Sequence, residues 1–275
     1  MRPIALALVL AALSGPALAC GPDALGVSRT LRVGTLGGGA VGLKTYPRTL
    51  PLAPGEVVLT FDDGPMPGKT ERVLAALDAE CVKATFFMIG RNAAAAPRLA
   101  ARVLQEGHTV AYHSMTHPNM RHLGVAAAQA NIDKGFQAVD EAVYGDAWNE
   151  PRAPFFRFPG FADSPALDSW LASRDIVVFG ADLWAGDWEP MTPDQELARL
   201  LARLDRSKGG IVLLHDIQPR TVAMLPRFLR ALKEKGYRIV HLVPGPGPLE
   251  TRPAPAGWTS ETERILRSSA KGAGG

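Results

Sequence analysis

Between residues 56 and 243, short apolar runs alternate with longer segments in which apolar residues recur at helical spacing. Short apolar runs predict strands at 57–61, 84–89, 109–112, 155–158, 176–179, 210–214 and 238–241. Longer segments with helical spacing predict helices at 70–79, 93–106, 125–143, 165–173, 193–206 and 219–235. Strands that alternate with helices favour βα units around a parallel sheet, and seven such strands predict an α/β barrel of the (β/α)7 type.

The segments on either side of this region differ from it in composition. Residues 20–55 are rich in Gly and Pro and lack a sustained helical period, which predicts an extended N-terminal arm that wraps the domain. Residues 244–275 combine Pro, Gly and polar residues, and this composition favours a flexible C-terminal tail that is disordered or loosely docked, with a weak signal for a short amphipathic helix around 260–267. The pattern therefore predicts an arm at 20–55, a barrel domain at 56–243 and a tail at 244–275.

The first nineteen residues have the pattern of a signal peptide. Arg2 supplies a positive start, residues 4–13 form an apolar run, and the Ala-Leu-Ala at 17–19 fits a small-x-small cleavage site. The predicted mature chain begins at Cys20 and lies in the periplasm or outside the cell. No later segment reaches the length of a membrane span.

Cys20 and Cys81 are the only cysteines of the chain, and two cysteines in an exported protein predict one disulfide. We expect this bridge to pin the arm to the barrel. Cys20 also stands where a lipidated cysteine would stand. However, Ala17 occupies the position at which a lipoprotein signal usually carries Leu, so lipid anchoring is the less favoured alternative.

Charge and composition narrow the class of partner. The chain of 275 residues has a formal net charge of +3, with 47% hydrophobic and 21% charged residues. These proportions are ordinary for a globular protein with a sizeable core. No dense basic block and no interleaving of aromatic and basic residues is present, so we expect no nucleic-acid partner. The composition leaves the oligomeric state open.

Polar side chains follow the predicted strands at the points where the strands end. They are Asp62 and Asp63 after the first strand, His113 and His117 after the third, Arg157 at the fourth, Asp187 after the fifth and His215 after the sixth. In a barrel of parallel strands the active site lies at the C-terminal ends of the strands. These side chains therefore predict one active site at that face.

His113 and His117 have the spacing of a metal-binding pair. Two histidines four residues apart lie on one face of a helical turn, so both imidazoles reach one ion. Two histidines and one carboxylate leave an open position for water on Zn²⁺. An isolated pair of this spacing is more often one partly buried and one surface histidine, but the neighbouring motifs favour the metal site.

Five motifs together resemble those of the NodB-type polysaccharide deacetylases, carbohydrate esterase family 4. They are TFDDGP at 60–65, HSMTHP at 113–118, RFPG at 157–160, DW at 187–188 and LLHD at 213–216. The motifs occur in the family's order, and the resemblance covers residues 56 to about 243. It implies a distorted (β/α)7-type barrel, the NodB homology domain, that removes acetyl groups from a polysaccharide.

The resemblance also implies roles for individual residues. Asp63, His113 and His117 would hold Zn²⁺, or another divalent transition metal such as Co²⁺ or Ni²⁺. Asp62 would be the catalytic base, and His215 would protonate the departing sugar amine. A carboxylate on a divalent cation is locally neutralised, so Asp62 can remain ionised beside Asp63.

The remaining motif residues receive supporting roles by the same resemblance. Arg157 would orient the base through a charge-assisted hydrogen bond, and Asp187 would tune a catalytic histidine. Gly160 would place a backbone N–H near the developing oxyanion, Leu213 would receive the acetyl methyl group, and Trp188 would stack on a sugar face. A plain salt bridge for Arg157 and core packing for Leu213 and Trp188 are the structural alternatives.

Two motifs depart from the family pattern. Gly160 precedes Phe161, so the aromatic residue of the third motif is displaced. In the fourth motif five steps separate Asp182 from Asp187, where the family usually has Asp-x-x-Asp-Trp.

We expect a metal-dependent N-deacetylase that acts on peptidoglycan, an exopolysaccharide or a chitin-like oligomer. An O-acetyl polysaccharide esterase on the same site is one alternative. A non-catalytic sugar-binding or export protein built on the same barrel is the other.

Overall fold

The computed structural model describes residue 21 and residues 23–146 and 150–272, with side chains up to residue 266. Its strands are β1 Arg29–Leu36, β2 Gly39–Val41, β3 Arg48–Thr49, β4 Glu56–Asp62, β5 Thr85–Met88, β6 Thr109–Tyr112, β7 Phe155–Phe156, β8 Val177–Phe179, β9 Leu183–Trp184, β10 Gly210–His215, β11 Arg238–Pro248 and β12 Arg252–Pro253. Its helices are α1 Thr70–Ala79, α2 Gly90–Ala95, α3 Pro97–Gln105, α4 Val125–Tyr144, α5 Pro165–Ala172, α6 Pro193–Ser207, α7 Pro219–Glu234 and α8 Glu261–Gly272.

Parallel strands form a ring that is open at one point. The hydrogen-bonded order β9–β10–β4–β5–β6–β7–β8 is parallel throughout. β8 and β9, the two ends of this order, are joined along the chain by residues 180–182 alone. The expected α/β fold with a distorted (β/α)7-type barrel is thereby confirmed.

β4 lies in the barrel wall between β10 and β5, and all of its residues are buried. Val57, Leu59 and Phe61 belong to the hydrophobic cluster under the helices, whereas Val58 belongs to a second cluster. Successive residues of a strand point to opposite faces, so a strand that is covered on both faces reads as a continuous apolar run. The run ends at Asp62, which places a carboxylate at the C-terminal edge of the barrel.

The helix predicted over 93–106 is split in two by Pro97. Proline has no backbone N–H and its ring conflicts with the preceding turn, so it is tolerated at the start of a helix but not within it. Pro97 accordingly occupies the first turn of α3, and Ala96 before it has a non-helical φ of −135°.

The N-terminal segment that was predicted as a wrapping arm is part of the sheet. β1 pairs in parallel with β11, from Arg29 opposite Val240 onward, and β2 pairs in parallel with β8. Half-buried and exposed residues mostly alternate along β1, as in a strand with one covered face. The Gly-rich composition of residues 20–55 hides this alternation, which is why the sequence suggested an arm.

The C-terminal segment that was predicted as a flexible tail is docked on the domain. β11 continues to Pro248, past the predicted boundary at 243, and β12 pairs antiparallel with β3. The Trp258 indole donates a hydrogen bond to the Leu43 carbonyl at 2.6 Å, and the Thr262 amide donates one to the Lys44 carbonyl at 3.0 Å. These bonds hold the start of α8 against the barrel.

The predicted signal peptide at 1–19 and Cys20 lie outside the described residues, so export and the bridge from Cys20 to Cys81 stay predictions. Cys81 follows α1 with a positive φ of 52°. Among the described residues, no helix is both long and apolar enough to cross a membrane.

Candidate active site

Five of the polar residues singled out from the sequence meet at one cavity of about 340 Å³, and Arg157 and Asp187 lie behind its lining. Asp62, Asp63, His113, His117 and His215 form its polar side. Its apolar walls contain Phe158, Gly160, Phe161, Trp184, Trp188 and Leu213, and α8 adds Thr262, Ile265 and Leu266. The cavity therefore lies at the C-terminal ends of the barrel strands.

The turn after β4 separates the two adjacent carboxylates. Asp62 is the last residue of the strand, and Asp63 turns away with a positive φ of 77°. Its amide donates a hydrogen bond to the Phe87 carbonyl, and its own carbonyl accepts one from the Asn92 side chain. At Gly64, a Cβ atom would lie 2.1 Å from Asp216 Oδ2, so only glycine fits. The two side chains consequently face different partners.

Asp63, His113 and His117 form a cluster with the geometry of a metal site. Their ligand atoms all lie within 4.8 Å of one another. Asp63 Oδ1 is 3.5 Å from His113 Nε2 and 3.4 Å from His117 Nε2. It is also a buried oxygen without a hydrogen-bond partner among the described residues. An orphaned buried oxygen between two imidazole nitrogens fits a bound cation.

The expected helical turn between the two histidines is absent from the described backbone. Residues 113–117 form a loop in which Ser114 and His117 have φ values of 65° and 59°. The Ser114 hydroxyl accepts a hydrogen bond from the His117 amide, which stabilises the loop. The two rings still meet, with centroids 5.0 Å apart, because the loop folds back instead of winding into a helix.

The surroundings of His113 orient its ring and favour the protonation state that suits a metal ligand. Its Nδ1 lies 2.7 Å from the Arg157 carbonyl oxygen, which can only accept, so the proton sits on Nδ1. The lone pair of Nε2 is then directed at the cluster. Burial lowers the pKa of His113, which favours the neutral imidazole that metals bind.

Arg157 is fully buried and holds Asp62. Its Nη1 donates hydrogen bonds to Asp62 Oδ1 at 2.6 Å and to the Thr60 hydroxyl at 2.9 Å. Its other donors reach the carbonyls of Phe179 and Gly180. Burial lowers the pKa of Arg157, while the Asp62 charge opposes this shift. Asp62 Oδ2 is left facing His113 Nε2 at 3.8 Å, on the side of the metal cluster.

His215 lies beside Asp62, opposite it in the pairing of β10 with β4, and forms a tight pair with Asp187. His215 Nδ1 is 2.8 Å from Asp187 Oδ1, and the His215 amide donates to Oδ2 at 2.8 Å. Burial alone would lower the pKa of His215, but the Asp187 carboxylate, together with the charges of Asp63 and Asp62, outweighs burial and raises it to about 10. His215 Nε2 lies 3.9 Å from Asp63 Oδ2 and faces the cluster. Asp182, by contrast, binds the amides of Leu43 and Ile211 outside this site.

Aromatic side chains line the walls of the cavity. Phe161 stacks on Trp184 with ring centroids 5.8 Å apart, and Leu213 packs in the same small cluster. Trp188 is 47% exposed and lies edge-on against His215. Gly160 reaches the cavity with a positive φ of 56°. Of the predicted wall residues, Gly160, Leu213 and Trp188 are thus all at the cavity.

The sequence analysis did not predict that Phe158 and α8 contribute to the cavity wall. Thr262, Ile265 and Leu266 are spaced three and four residues apart, so one face of the helix is turned to the cavity. This amphipathic spacing is present in the sequence. The composition of the surrounding segment, however, indicated a flexible tail.

Comparison with known proteins identifies the family. Residues 50–166 match the family model described as polysaccharide deacetylase. The chain is 34% identical over 210 residues to a chitooligosaccharide deacetylase of Sinorhizobium fredii, covering 72% of this chain and 94% of that protein. It is 35% identical over 190 residues to a peptidoglycan-N-acetylglucosamine deacetylase of Bacillus cereus, covering 65% and 66% of the two chains.

Comparison with solved structures supports the same family. A peptidoglycan deacetylase of Bdellovibrio bacteriovorus superposes with a TM-score of 0.70 at 34% identity, covering 79% of this chain and 59% of that one. The chain therefore belongs to the polysaccharide deacetylase family, the NodB-type group of carbohydrate esterase family 4, and is a hydrolase of that class.

Proposed function

We propose that the chain removes N-acetyl groups from an N-acetylated polysaccharide outside the cytoplasm, with the help of a divalent cation held by Asp63, His113 and His117. The observation that carries this proposal is the convergence on one cavity of three ligand atoms, a base and an acid. Deacetylation of a polysaccharide follows from family membership. The cation, the N-acetyl linkage and the location are the additions of the proposal.

The donor set supports Zn²⁺ as the cation. Two imidazole nitrogens and one carboxylate oxygen are a common set in catalytic zinc sites, and Co²⁺ and Ni²⁺ suit the same donors. When bound, such a cation would polarise the acetyl carbonyl and lower the pKa of water to about 7.

Asp62 and His215 are placed to move protons in opposite directions. Arg157 engages Asp62 Oδ1, so Oδ2 is the oxygen that would accept the proton of the attacking water. His215 is held by Asp187 in its charged form, so Nε2–H would donate a proton to the sugar nitrogen as it departs. The two groups thus supply a base and an acid at one cavity.

The walls of the cavity fit an acetylated sugar. Leu213 is apolar and is placed to contact an acetyl methyl group, and the exposed Trp188 offers a face for a sugar ring. Gly160 brings its backbone to the same cavity, which supports its proposed role as an oxyanion donor. Two relatives, a chitooligosaccharide deacetylase and a peptidoglycan-N-acetylglucosamine deacetylase, support an N-acetylglucosamine polymer as the substrate.

Acetate release from a panel of substrates tests the proposal. N-acetylglucosamine oligomers, peptidoglycan fragments and O-acetylated xylan are offered side by side to the zinc-loaded protein, with a chelator control. Release from an N-acetylated substrate that the chelator abolishes is the expected result. Release from xylan alone would make the protein an O-acetyl esterase. Zinc binding without release from any substrate would favour a sugar-binding protein.

A further inference from the structure

A row of hydrogen-bonded side chains continues from His215 into the helical layer. His215 Nδ1 contacts Asp187 Oδ1, and Thr221 Oγ1 on α7 lies 2.8 Å from Asp187 Oδ2. The same hydroxyl oxygen lies 2.9 Å from Glu196 Oε1 on α6. Asp187, Thr221 and Glu196 are each 0% exposed. The row therefore joins the active site to two helices without contact with solvent.

The two contacts of Thr221 cannot both be hydrogen bonds if both carboxyl groups are ionised. A hydroxyl group has a single hydrogen to donate, and an ionised carboxylate only accepts. Thr221 stands between two carboxyl oxygens, so it donates to one of them. The other contact is a hydrogen bond only if that carboxyl group carries a proton and donates it to Thr221 Oγ1.

Asp187 is the ionised member of the row. Its oxygens accept hydrogen bonds from the His215 amide and ring as well as from Thr221. Burial would raise the pKa of Asp187, but the positive His215 and these hydrogen bonds lower it below its usual value. Asp187 is therefore the acceptor of the Thr221 hydrogen.

Glu196 lacks comparable stabilisation of a negative charge. Its Oε2 is buried and has no hydrogen-bond partner among the described residues. Burial raises the pKa of Glu196 to about 7; the Asp187 charge adds to the shift, whereas the contact with Thr221 and the charges of Arg220 and His215 oppose it. Arg220 points its Nη1 at the carbonyl oxygens of Asp187 and Glu189. A buried carboxylate without donors is costly, so the neutral acid is the stable form.

We propose that Glu196 is a carboxylic acid that donates its proton to Thr221, and that Thr221 in turn donates to Asp187, which makes Glu196 and Thr221 positioning residues for His215. Because Glu196 donates to Thr221, the Thr221 hydrogen is directed at Asp187. This hydrogen bond holds the Asp187 carboxylate in the position where it accepts the His215 Nδ1–H. Neither Glu196 nor Thr221 lines the cavity. Their effect on turnover rests on the proposed function of His215.

Paired substitutions at Thr221 test the positioning role. Thr221→Val removes the hydroxyl at nearly constant shape, and we expect kcat to fall by about tenfold with KM unchanged. Thr221→Ser keeps the hydroxyl and is expected to retain most of the kcat. Wild-type kcat in Thr221→Val would overturn the role, and so would an equal loss in Thr221→Ser.

Carbon-13 NMR of glutamate-labelled protein tests the proton itself. The side-chain carboxyl resonance of Glu196, identified by its absence in Glu196→Gln, is expected at the protonated position at pH 6. A resonance at the ionised position there would overturn the proposal. The Gln amide N–H replaces the acid as donor to Thr221, so kcat of Glu196→Gln is expected to stay near wild type, and a loss as large as in Thr221→Val would contradict the row.

A third measurement separates this proposal from the proposed function. The nitrogen-15 shift of His215 Nδ1 at pH 7 is compared between wild type and Thr221→Val without substrate. A changed shift supports positioning of His215 through the row, and an unchanged shift overturns it. Because neither NMR measurement needs turnover, both give their answer even if the wild-type protein releases no acetate from any substrate.

Discussion

Replacing Arg157 with methionine tests how the buried Asp62 carboxylate is held. Arg157 is 0% exposed and Asp62 is 2% exposed, with their Nη1 and Oδ1 atoms 2.6 Å apart. Two unit charges at this distance attract by about 6 kcal/mol at an effective dielectric constant of about 20. Desolvation of both groups offsets much of this energy. Removal of one partner of such a pair nevertheless costs about 3–5 kcal/mol, because the remaining charge is left buried and unpaired.

A double-mutant cycle isolates this interaction from the loss of side-chain packing. We expect Arg157→Met to destabilise the metal-free protein by about 3–5 kcal/mol in urea unfolding, and by at least about 2 kcal/mol less when Asp62 is already Asn. Arg157→Lys is the matched control, since it keeps the charge but loses the planar set of donors. A coupling energy near zero would show that Arg157 does not hold Asp62, and would refute the reasoning.

Three further predictions concern the cation, the core and α8. Asp63→Asn should abolish stoichiometric zinc binding, measured calorimetrically, and tight zinc binding in this variant would contradict the assignment of Asp63 as a ligand. Asp62→Asn should keep zinc binding and lower kcat at least about 100-fold, and full turnover in this variant would contradict the assignment of Asp62 as the base. Burial lowers the pKa of His108 to about 3, below its unfolded value of about 6.5. The unfolded chain alone therefore binds this proton between these pH values, and stability should fall by about 1.4 kcal/mol per pH unit below 6.5, relative to His108→Gln in urea titrations. Equal pH slopes of stability in wild type and His108→Gln would contradict the lowered pKa of His108. Ile265→Ser with Leu266→Ser should raise KM for the oligomer while kcat is kept, and an unchanged KM would remove α8 from substrate binding.

The barrel could be predicted because its strands are buried on both faces. β4 and β10 each read as a continuous apolar run that ends in a polar motif, which is a strong local signal. β1 and β2 were missed because their partners, β11 and β8, lie far away in sequence and the segment is rich in glycine. β9 has two residues, which is too short for any periodicity.

The candidate site could be predicted as a set of residues but not as a geometry. The motifs located Asp63, His113 and His117, yet the histidine pair was expected on a helical turn and lies on a loop. Positive φ values at non-glycine residues leave no mark in the sequence, because the surrounding structure imposes them. The contact between Thr221 and Glu196 is equally hidden, since it joins two helices through tertiary packing.

The most direct test of the account is a zinc titration of the metal-free protein while acetate release from an N-acetylglucosamine oligomer is followed. The account predicts no release without the cation, and a linear rise that ends at one zinc per chain in wild type. In Asp63→Asn the same titration should yield no such endpoint. Full release by the chelator-treated protein, or a rise in Asp63→Asn that matches wild type, would contradict the claim that Asp63, His113 and His117 hold a catalytic cation.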